Sequence, residues 1–392
     1  MRKEFQNNFD RTKTQERKSD KNYIERTFQI DKNKKIINST IADFDFQTPK
    51  PIIEAILERA KKGTYSYTYV TDDFYYAVKL WYKKNYQVSL NSKQIKLVHG
   101  TVNALHQLIM GLSNEGDSVI INTPVYGPFL RAIKNSNRLP IFSDLIWNTN
   151  GYLFNIEDFK LKIKNFKPKI FILCNPHNPG GVVWNKKLLI QILEICRKNN
   201  VLLVSDEVHA DLTLKGKKFT SLINLMNQDD QVIICNSANK TFNLGGLKSS
   251  YLISKNKMLL SKINNIFESN SLTSPNVFSI PAISAAYTNS ETQKWLDDFK
   301  DFILENFKLL QKKLQNLSNL EIMNLESSYL VWCKFKNISY LEFTAKAKES
   351  GVIFSDYNDF ANCSENLFRI NIGCSQKTLN KICKILNKIL SW

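Results

Sequence analysis

Two apolar runs end in residues that could do chemistry. The run 201–205 leads into Asp206-Glu207-Val208-His209, and the run 232–236 leads into Ser237-Ala238-Asn239-Lys240. A carboxylate at the end of an apolar strand lies in a low-dielectric place and needs a partner cation. Asp is also a good helix N-cap, so Asp206 alone supports either role. A desolvated lysine keeps part of its amine neutral and nucleophilic, which suits Schiff-base chemistry with a carbonyl. In a chain with many lysines the ordinary alternative is a surface side chain whose stem lies on apolar groups. Near the C-terminus, Phe368-Arg369-Ile370-Asn371 offers a guanidinium suited to two-point contact with a carboxylate. Taken alone, Arg369 reads better as half of a surface ion pair.

Three further turns lie after apolar runs. His99-Gly100-Thr101-Val102 joins a strand to a helix, and free N–H groups at such a start bind anions. An ordinary βα turn uses the same residues. Thr123-Pro124-Val125-Tyr126-Gly127-Pro128 fixes where Tyr126 points, and its ring could stack on a flat cofactor or fill the core. Asn175-Pro176-His177-Asn178-Pro179-Gly180-Gly181 carries two Asn-Pro steps. A simple turn needs far less, so this is a rigid loop that presents Asn178 as a fixed hydrogen-bonding group. The order of these features on successive strands favours a single site over separate structural uses.

The elements that must position them alternate. Strands are predicted at 95–98, 119–122, 170–174, 201–205, 232–236 and 251–254, with helices at 102–112, 128–135, 186–198 and 219–226. Apolar strands alternating with helices indicate an α/β fold with a parallel sheet covered on both faces. From about residue 293 the texture changes: a long amphipathic helix at 295–317, strands at 329–335, 352–354 and 367–372, a helix at 340–350 and a C-terminal helix. The expected division is an N-terminal segment 1–50 packing on the small domain, a large domain 51–290 and a small α/β domain 291–392. Residues 1–35 read as a weakly ordered or surface arm.

Composition narrows the function. At 392 residues with 43% apolar and 23% charged residues, the chain suits a large globular domain plus a smaller one. The longest apolar runs are far short of a membrane span, and the polar N-terminus lacks a signal core, so a cytoplasmic protein is expected. The net charge is +18, but the lysines are spread along the chain without a compact basic run, so no nucleic-acid partner is expected. Seven cysteines show no CxxC spacing, which argues against a zinc site and a disulfide framework. Most lie in apolar runs as inert thiols, and Cys374 is distinguished by its closeness to Arg369.

With Ala42-Asp43-Phe44-Asp45-Phe46, Tyr65-Ser66-Tyr67-Thr68, Lys240-Thr241-Phe242-Asn243, Gly246-Leu247 and Tyr329-Leu330-Val331-Trp332 added to these motifs, the chain resembles the fold-type I, pyridoxal-5′-phosphate (PLP)-dependent enzymes of the class I/II aminotransferase superfamily. Within it the chain most resembles the cystathionine β-lyase-like C–S lyases of MalY/PatB type, from about Ile41 to the C-terminus. The resemblance implies a large domain with a mainly parallel seven-stranded sheet between helices and a smaller α/β C-terminal domain. It implies that Lys240 holds PLP as a Schiff base and moves the Cα proton, and that Asp206 keeps the pyridine nitrogen protonated. Asn178 would bond the ring oxygen and face the substrate carboxylate, His209 would lie nearby, and Tyr126 would stack on the ring and join the catalytic set. Gly100, Thr101, Val102 and Ser237 would hold the phosphate, and Arg369 the substrate carboxylate. Tyr67 would reach the phosphate of a neighbouring subunit, implying a homodimer with active sites at the interface.

The implied reaction is β-elimination from cystathionine or another cysteine S-conjugate, giving thiol, pyruvate and ammonia. An aminotransferase acting on an unidentified amino acid is the alternative, and a regulatory binding protein that keeps a PLP site is a third reading. Asn38-Ser39-Thr40 stands where lyase relatives usually carry Pro-Leu-Trp. Asn239 replaces a common Ser, Lys248 stands where many aminotransferases carry an Arg, and 355–361 replaces a more Gly-rich loop. These departures leave the cofactor residues intact and bear on the substrate.

Overall fold

Runs of Val, Ile and Leu form strands that are buried on both faces and build a seven-stranded sheet. The computed structural model describes residues 3–391. The strand order is Ile95–Val98, Ser250–Ile253, Val232–Asn236, Leu202–Asp206, Ile170–Cys174, Ser118–Thr123, Leu139–Asp144. Ser250–Ile253 runs antiparallel to both neighbours and the other pairings are parallel. Side chains alternate between faces along each strand. Ile120, Phe171, Leu203 and Ile234 therefore enter one core, while Ile121, Ile172, Val204 and Ile233 enter the other.

Helices cover both faces. Lys186–Lys198 is capped by Asn185, which accepts from the Leu188 N–H, and sends Leu189 and Ile192 into the first core. Thr101–Leu112 sends Leu105 and Leu108 into the second.

A smaller five-stranded sheet has the order Ile37–Ser39, Val352–Asp356, Leu367–Asn371, Leu330–Phe335, Leu320–Ile322. Its first strand comes from near the N-terminus and pairs parallel with Val352–Phe354. Helices Ser290–Leu314, Tyr340–Glu349 and Gln376–Leu390 pack with it, with the Phe335 and Phe343 rings stacked at 4.4 Å. A two-residue ladder, Val125–Tyr126 against Phe360–Ala361, ties the chain just after the Thr123-Pro124 turn to the loop beyond the second sheet. Among the described residues no helix is long and apolar enough to cross a membrane.

Two expectations are corrected. The helix expected at 219–226 is only a 3₁₀ turn, Leu222–Asn224. The buried Glu207 carboxylate accepts from the Ser221 hydroxyl and the Leu222 N–H, and this tertiary anchor fixes the chain where helix periodicity would have continued. The arm is also more ordered than a surface segment, although residues 1–2 lie outside the described residues. Lys21–Phe28 is a helix capped by Asp20, and Phe5 is buried among the rings of Phe46, Trp295, Phe299 and Phe302.

Candidate active site

The parallel register aligns the strand ends that carry the chemistry. Cys174 pairs with Asp206, and Asp206 with Cys235. The Asn175 loop, the Asp206 loop and the Ser237–Lys240 turn therefore leave the sheet side by side, where open α/β sheets bind ligands.

Asp206 is buried, and one carboxylate oxygen accepts from the Val208 N–H at 3.2 Å. Burial pushes its pKa up to about 7, against the lowering effects of that bond and of Lys240. Lys240 is pressed down to about 8, first by burial and then by the Arg369 charge, while Asp43 and Asp206 pull the other way. Its ammonium donates to the Ala42 carbonyl at 3.1 Å. His209 is buried and held down to about 3 by burial and by the charges of Lys240 and Arg369; its Nδ1 has no partner among the described residues.

Arg369 is buried and bonded on several sides. Nη1 donates to Asn178 Oδ1 at 3.0 Å, and Nη2 to the Thr40 carbonyl at 2.7 Å and to Ser355 Oγ at 3.2 Å. The guanidinium lies 5.2 Å from the Phe360 ring centroid, and Nε has no partner among the described residues. Asn178 is fixed in turn, because its carbonyl accepts from the Tyr126 N–H at 3.2 Å. Burial raises the Tyr126 phenol above its ordinary pKa, with Arg369 and Asp206 among the charges it feels.

Gly100 precedes helix Thr101–Leu112 with φ +89°, a left-handed value that favours glycine. The first helical turn has no acidic residue, and among the described residues no side chain caps its N–H groups. Thr101 Oγ1 lies 3.1 Å from Ser250 Oγ, and Ser237 is buried across the site. This end of the site suits a phosphate. A flat cofactor with a phosphate at one end and a basic ring nitrogen at the other matches the donor set. Uncapped N–H groups would face the phosphate, and the buried Asp206 carboxylate would gain a directly paired cation.

Lys240, Asp206, His209, Asn178, Tyr126, Arg369, Ser237, Gly100, Thr101 and Val102 thus lie around one region. Tyr67 does not join them. It is 97% exposed, close to the Ser274–Phe278 segment on the outer surface.

Residues 40–45 supply a part of the site that the motifs gave no role. Six consecutive carbonyls are all accepted on. Beyond Thr40 and Ala42 already named, Ile41 takes Asn371 Nδ2, Asp43 takes Lys18 Nζ and Asn371 Nδ2, Phe44 takes Asn243 Nδ2 and Arg11 Nη1, and Asp45 takes the Phe9 N–H. Tyr329 shares the Ala42 carbonyl with Lys240 at 3.1 Å. Behind the lysine, the Thr241 hydroxyl donates to the buried Asp211, which also takes Trp81 Nε1 and the Tyr86 hydroxyl. The sequence signal for the first group was the Ala42–Phe46 motif; nothing marked Asp211 beyond its place two residues after His209.

The family model for aminotransferase class I and II matches residues 34–386. Cystathionine beta-lyase PatB of Bacillus subtilis is 32% identical over 356 residues, covering 90% of this chain and 92% of that one. The PLP-bound C–S lyase from Staphylococcus hominis superposes with a TM-score of 0.90 at 28% identity, over 100% of this chain and 99% of that one. The PLP-bound putative aminotransferase from Clostridium difficile 630 gives a TM-score of 0.92 at 29% identity, over 98% and 99%.

Proposed function

Because the chain belongs to the aminotransferase class I and II family, we propose that it is a PLP-dependent C–S β-lyase. It would cleave cystathionine or another cysteine S-conjugate, with water, to thiol, pyruvate and ammonia. The likeness to cystathionine beta-lyase PatB across nine-tenths of the chain carries the choice of reaction. The convergence of Lys240, Asp206 and Arg369 in one buried region supports the cofactor.

Lys240 would hold PLP covalently, Asp206 would pair with the ring nitrogen, and Asn178 and His209 would flank the ring. Tyr126 would stack on it. The N–H groups at Thr101 and Val102, with Gly100 and Ser237, would take the phosphate. PLP, when bound, accepts the electron pair left at Cα and so makes the Cα proton acidic. Lys240 then acts on that proton: with its pKa lowered to about 8, about a tenth of the amine is neutral and basic at pH 7, far more than for an ordinary lysine. Arg369, steadied by Asn178 and Ser355, would bind the substrate carboxylate and turn the Cα–H bond toward Lys240. Loss of the Cα proton with the Cβ–S bond aligned expels the thiolate.

The reading includes a homodimer, supported by exposed Tyr65, Tyr67 and Tyr69 on one surface segment. It includes a large domain of 51–290 and a small one of 291–392 joined by the N-terminal segment. It includes a reducing, cytoplasmic location, supported by seven free cysteines.

The test is incubation of the PLP-loaded protein with L-cystathionine and no keto acid. Catalytic release of both pyruvate and free thiol is expected. No release, with amino transfer once a keto acid is supplied, would replace the lyase by the aminotransferase reading.

A further inference from the structure

The 40–45 segment touches the site on one side and the N-terminal arm on the other. On the arm side lies a buried charge cluster. Arg11 Nη2 meets Asp43 Oδ2 at 2.7 Å, and its Nε meets Glu16 at 2.6 Å. Lys18 Nζ meets Asp45 Oδ1 at 2.6 Å and Asp43 Oδ1 at 3.2 Å. The Arg11 and Lys18 side chains are 8% and 7% exposed. The arm has anchors besides the Arg11 and Lys18 ion pairs. Phe5 sits in its aromatic cage, Asn8 Nδ2 donates to Asp45 and Thr378, and Asn8 Oδ1 accepts from the Ser375 N–H.

We propose that Arg11 and Lys18 are positioning residues. By pairing with Asp43 and Asp45 they fix the 40–45 carbonyls, and through those carbonyls they set both the proton affinity of Lys240 and the carboxylate affinity of Arg369. The inference rests on the proposed role of Lys240 as the cofactor lysine. The Ala42 carbonyl is the acceptor for the Lys240 amine, and the Thr40 carbonyl is an acceptor for Arg369, two residues away in the same rigid segment. Asp43 lies between the two systems. Against the opposing effect of burial, Lys18 and Arg11 hold its carboxyl below the usual range, and its charge is felt at Lys240. The other charged or titratable groups facing Lys240 are Asp206 and His209 from the strand-end loop, Arg369 and Tyr329 from the smaller sheet, and Lys248 from the following turn. None of these belongs to the arm, so the charge effect of an arm variant reads out through Asp43 and its positional effect through the carbonyls.

A cluster that only stabilised the fold would behave differently. Removing the Lys18 charge leaves Asp43 and Asp45 less neutralised, which raises the proton affinity at Lys240. Removing the Asp43 charge lowers it. Mere loosening moves both variants the same way, toward the solvated value.

The experiment is a pH titration of the visible absorbance of the PLP-loaded protein, with the affinity for propionate read from the same band. Lys18→Met is expected to move the midpoint up by about half a unit and Asp43→Asn to move it down by about as much. Both should weaken propionate about three- to fivefold, the loss of roughly one hydrogen bond's contribution. Lys18→Arg should restore both readings. Should Lys18→Met not fold, Asp45→Asn takes its place, with a downward shift expected. Midpoints that stay put, or that move in one direction in the Lys18→Met and Asp43→Asn pair, overturn the inference, as does an unmoved midpoint in Asp45→Asn. Wild-type protein that acquires no visible absorbance with PLP overturns the proposed cofactor reading instead, and the inference falls with it.

Discussion

Asp206 and Lys240 leave neighbouring parallel strands whose register the sheet dictates. Residues 40–45 have no such ladder. All but one of their carbonyls are held by side chains, arriving from as far as 330 residues along the chain. The strand-end half of the site is therefore built by local rules: an apolar run, a turn, a functional residue. The 40–45 half is assembled by tertiary contacts and acts through its backbone. The two halves should fail differently. Damage to the first removes a chemical group; damage to the second leaves every group present and misplaces it.

The largest effect is expected at Lys240. Lys240→Ala should abolish the covalent cofactor band and lower turnover about 10⁴-fold, the upper range for a lost proton-transfer group. PLP absorbance and initial rates measure both. Turnover near wild type would remove the lysine from the site.

Asp206→Asn comes next. Leaving the ring nitrogen without its buried partner should cost about 3–5 kcal/mol of cofactor binding, measured by PLP titration. The same residue makes a pH prediction. In the protein without PLP its pKa is raised to about 7 from 3.8. A raised carboxyl pKa means that the folded state holds the proton more tightly than the unfolded state. That stabilisation is full below the unfolded value and is lost as pH rises through about 7. The melting temperature of cofactor-free wild type relative to Asp206→Asn should therefore fall as pH rises from about 4 to 7. Glu207, also raised by burial, to about 8, is common to both proteins and cancels. Added PLP should flatten the fall by giving the carboxylate its cation. A flat difference without PLP would mean that Asp206 is already compensated.

How much of this was legible follows the same division. The strands at 170–174 and 232–236 and the helix at 186–198 were readable to the residue, because continuous apolar runs and helical periodicity are local signals. So were Asp206, Lys240 and Asn178, each in its strand-end turn. The edge strand Leu139–Asp144 gave no apolar run, since it is covered on one side only and stays partly exposed. Phe5, Arg11 and Lys18 looked like a polar arm because a buried lysine has no mark in sequence; only its two carboxylates, more than twenty residues on, explain it. Tyr67 is exposed in the single subunit, so its place in the site rests on the resemblance alone.

Arg369 joins the halves, since it leaves a strand but rests on Thr40. Arg369→Ala should raise KM for the amino-acid substrate by about 10- to 150-fold, the range for charge-assisted hydrogen bonds of 1.5–3 kcal/mol. Steady-state kinetics with the β-elimination assay reads this. An unchanged KM would assign the carboxylate to another group and leave Arg369 as a structural cation.

The smallest effect separates the halves most sharply. Asn38 touches neither Lys240 nor Arg369, but its Oδ1 accepts from the Thr40 N–H at 3.1 Å and the Thr40 hydroxyl at 2.7 Å. This side-chain turn aims the Thr40 carbonyl at Arg369. In the 38–40 stretch a hydrogen-bonded turn thus does the orienting. Asn38→Ala should free that carbonyl and cost about 1 kcal/mol, seen as a roughly fivefold rise in KM with kcat and the cofactor band unchanged. Asn38→Asp keeps the acceptor oxygen and should recover most of the loss. If Asn38→Ala instead lowers kcat and KM stays fixed, the segment acts through Ala42 on Lys240 and not through Thr40 on Arg369. The two carbonyls would then be separable in function although they lie two residues apart on one backbone.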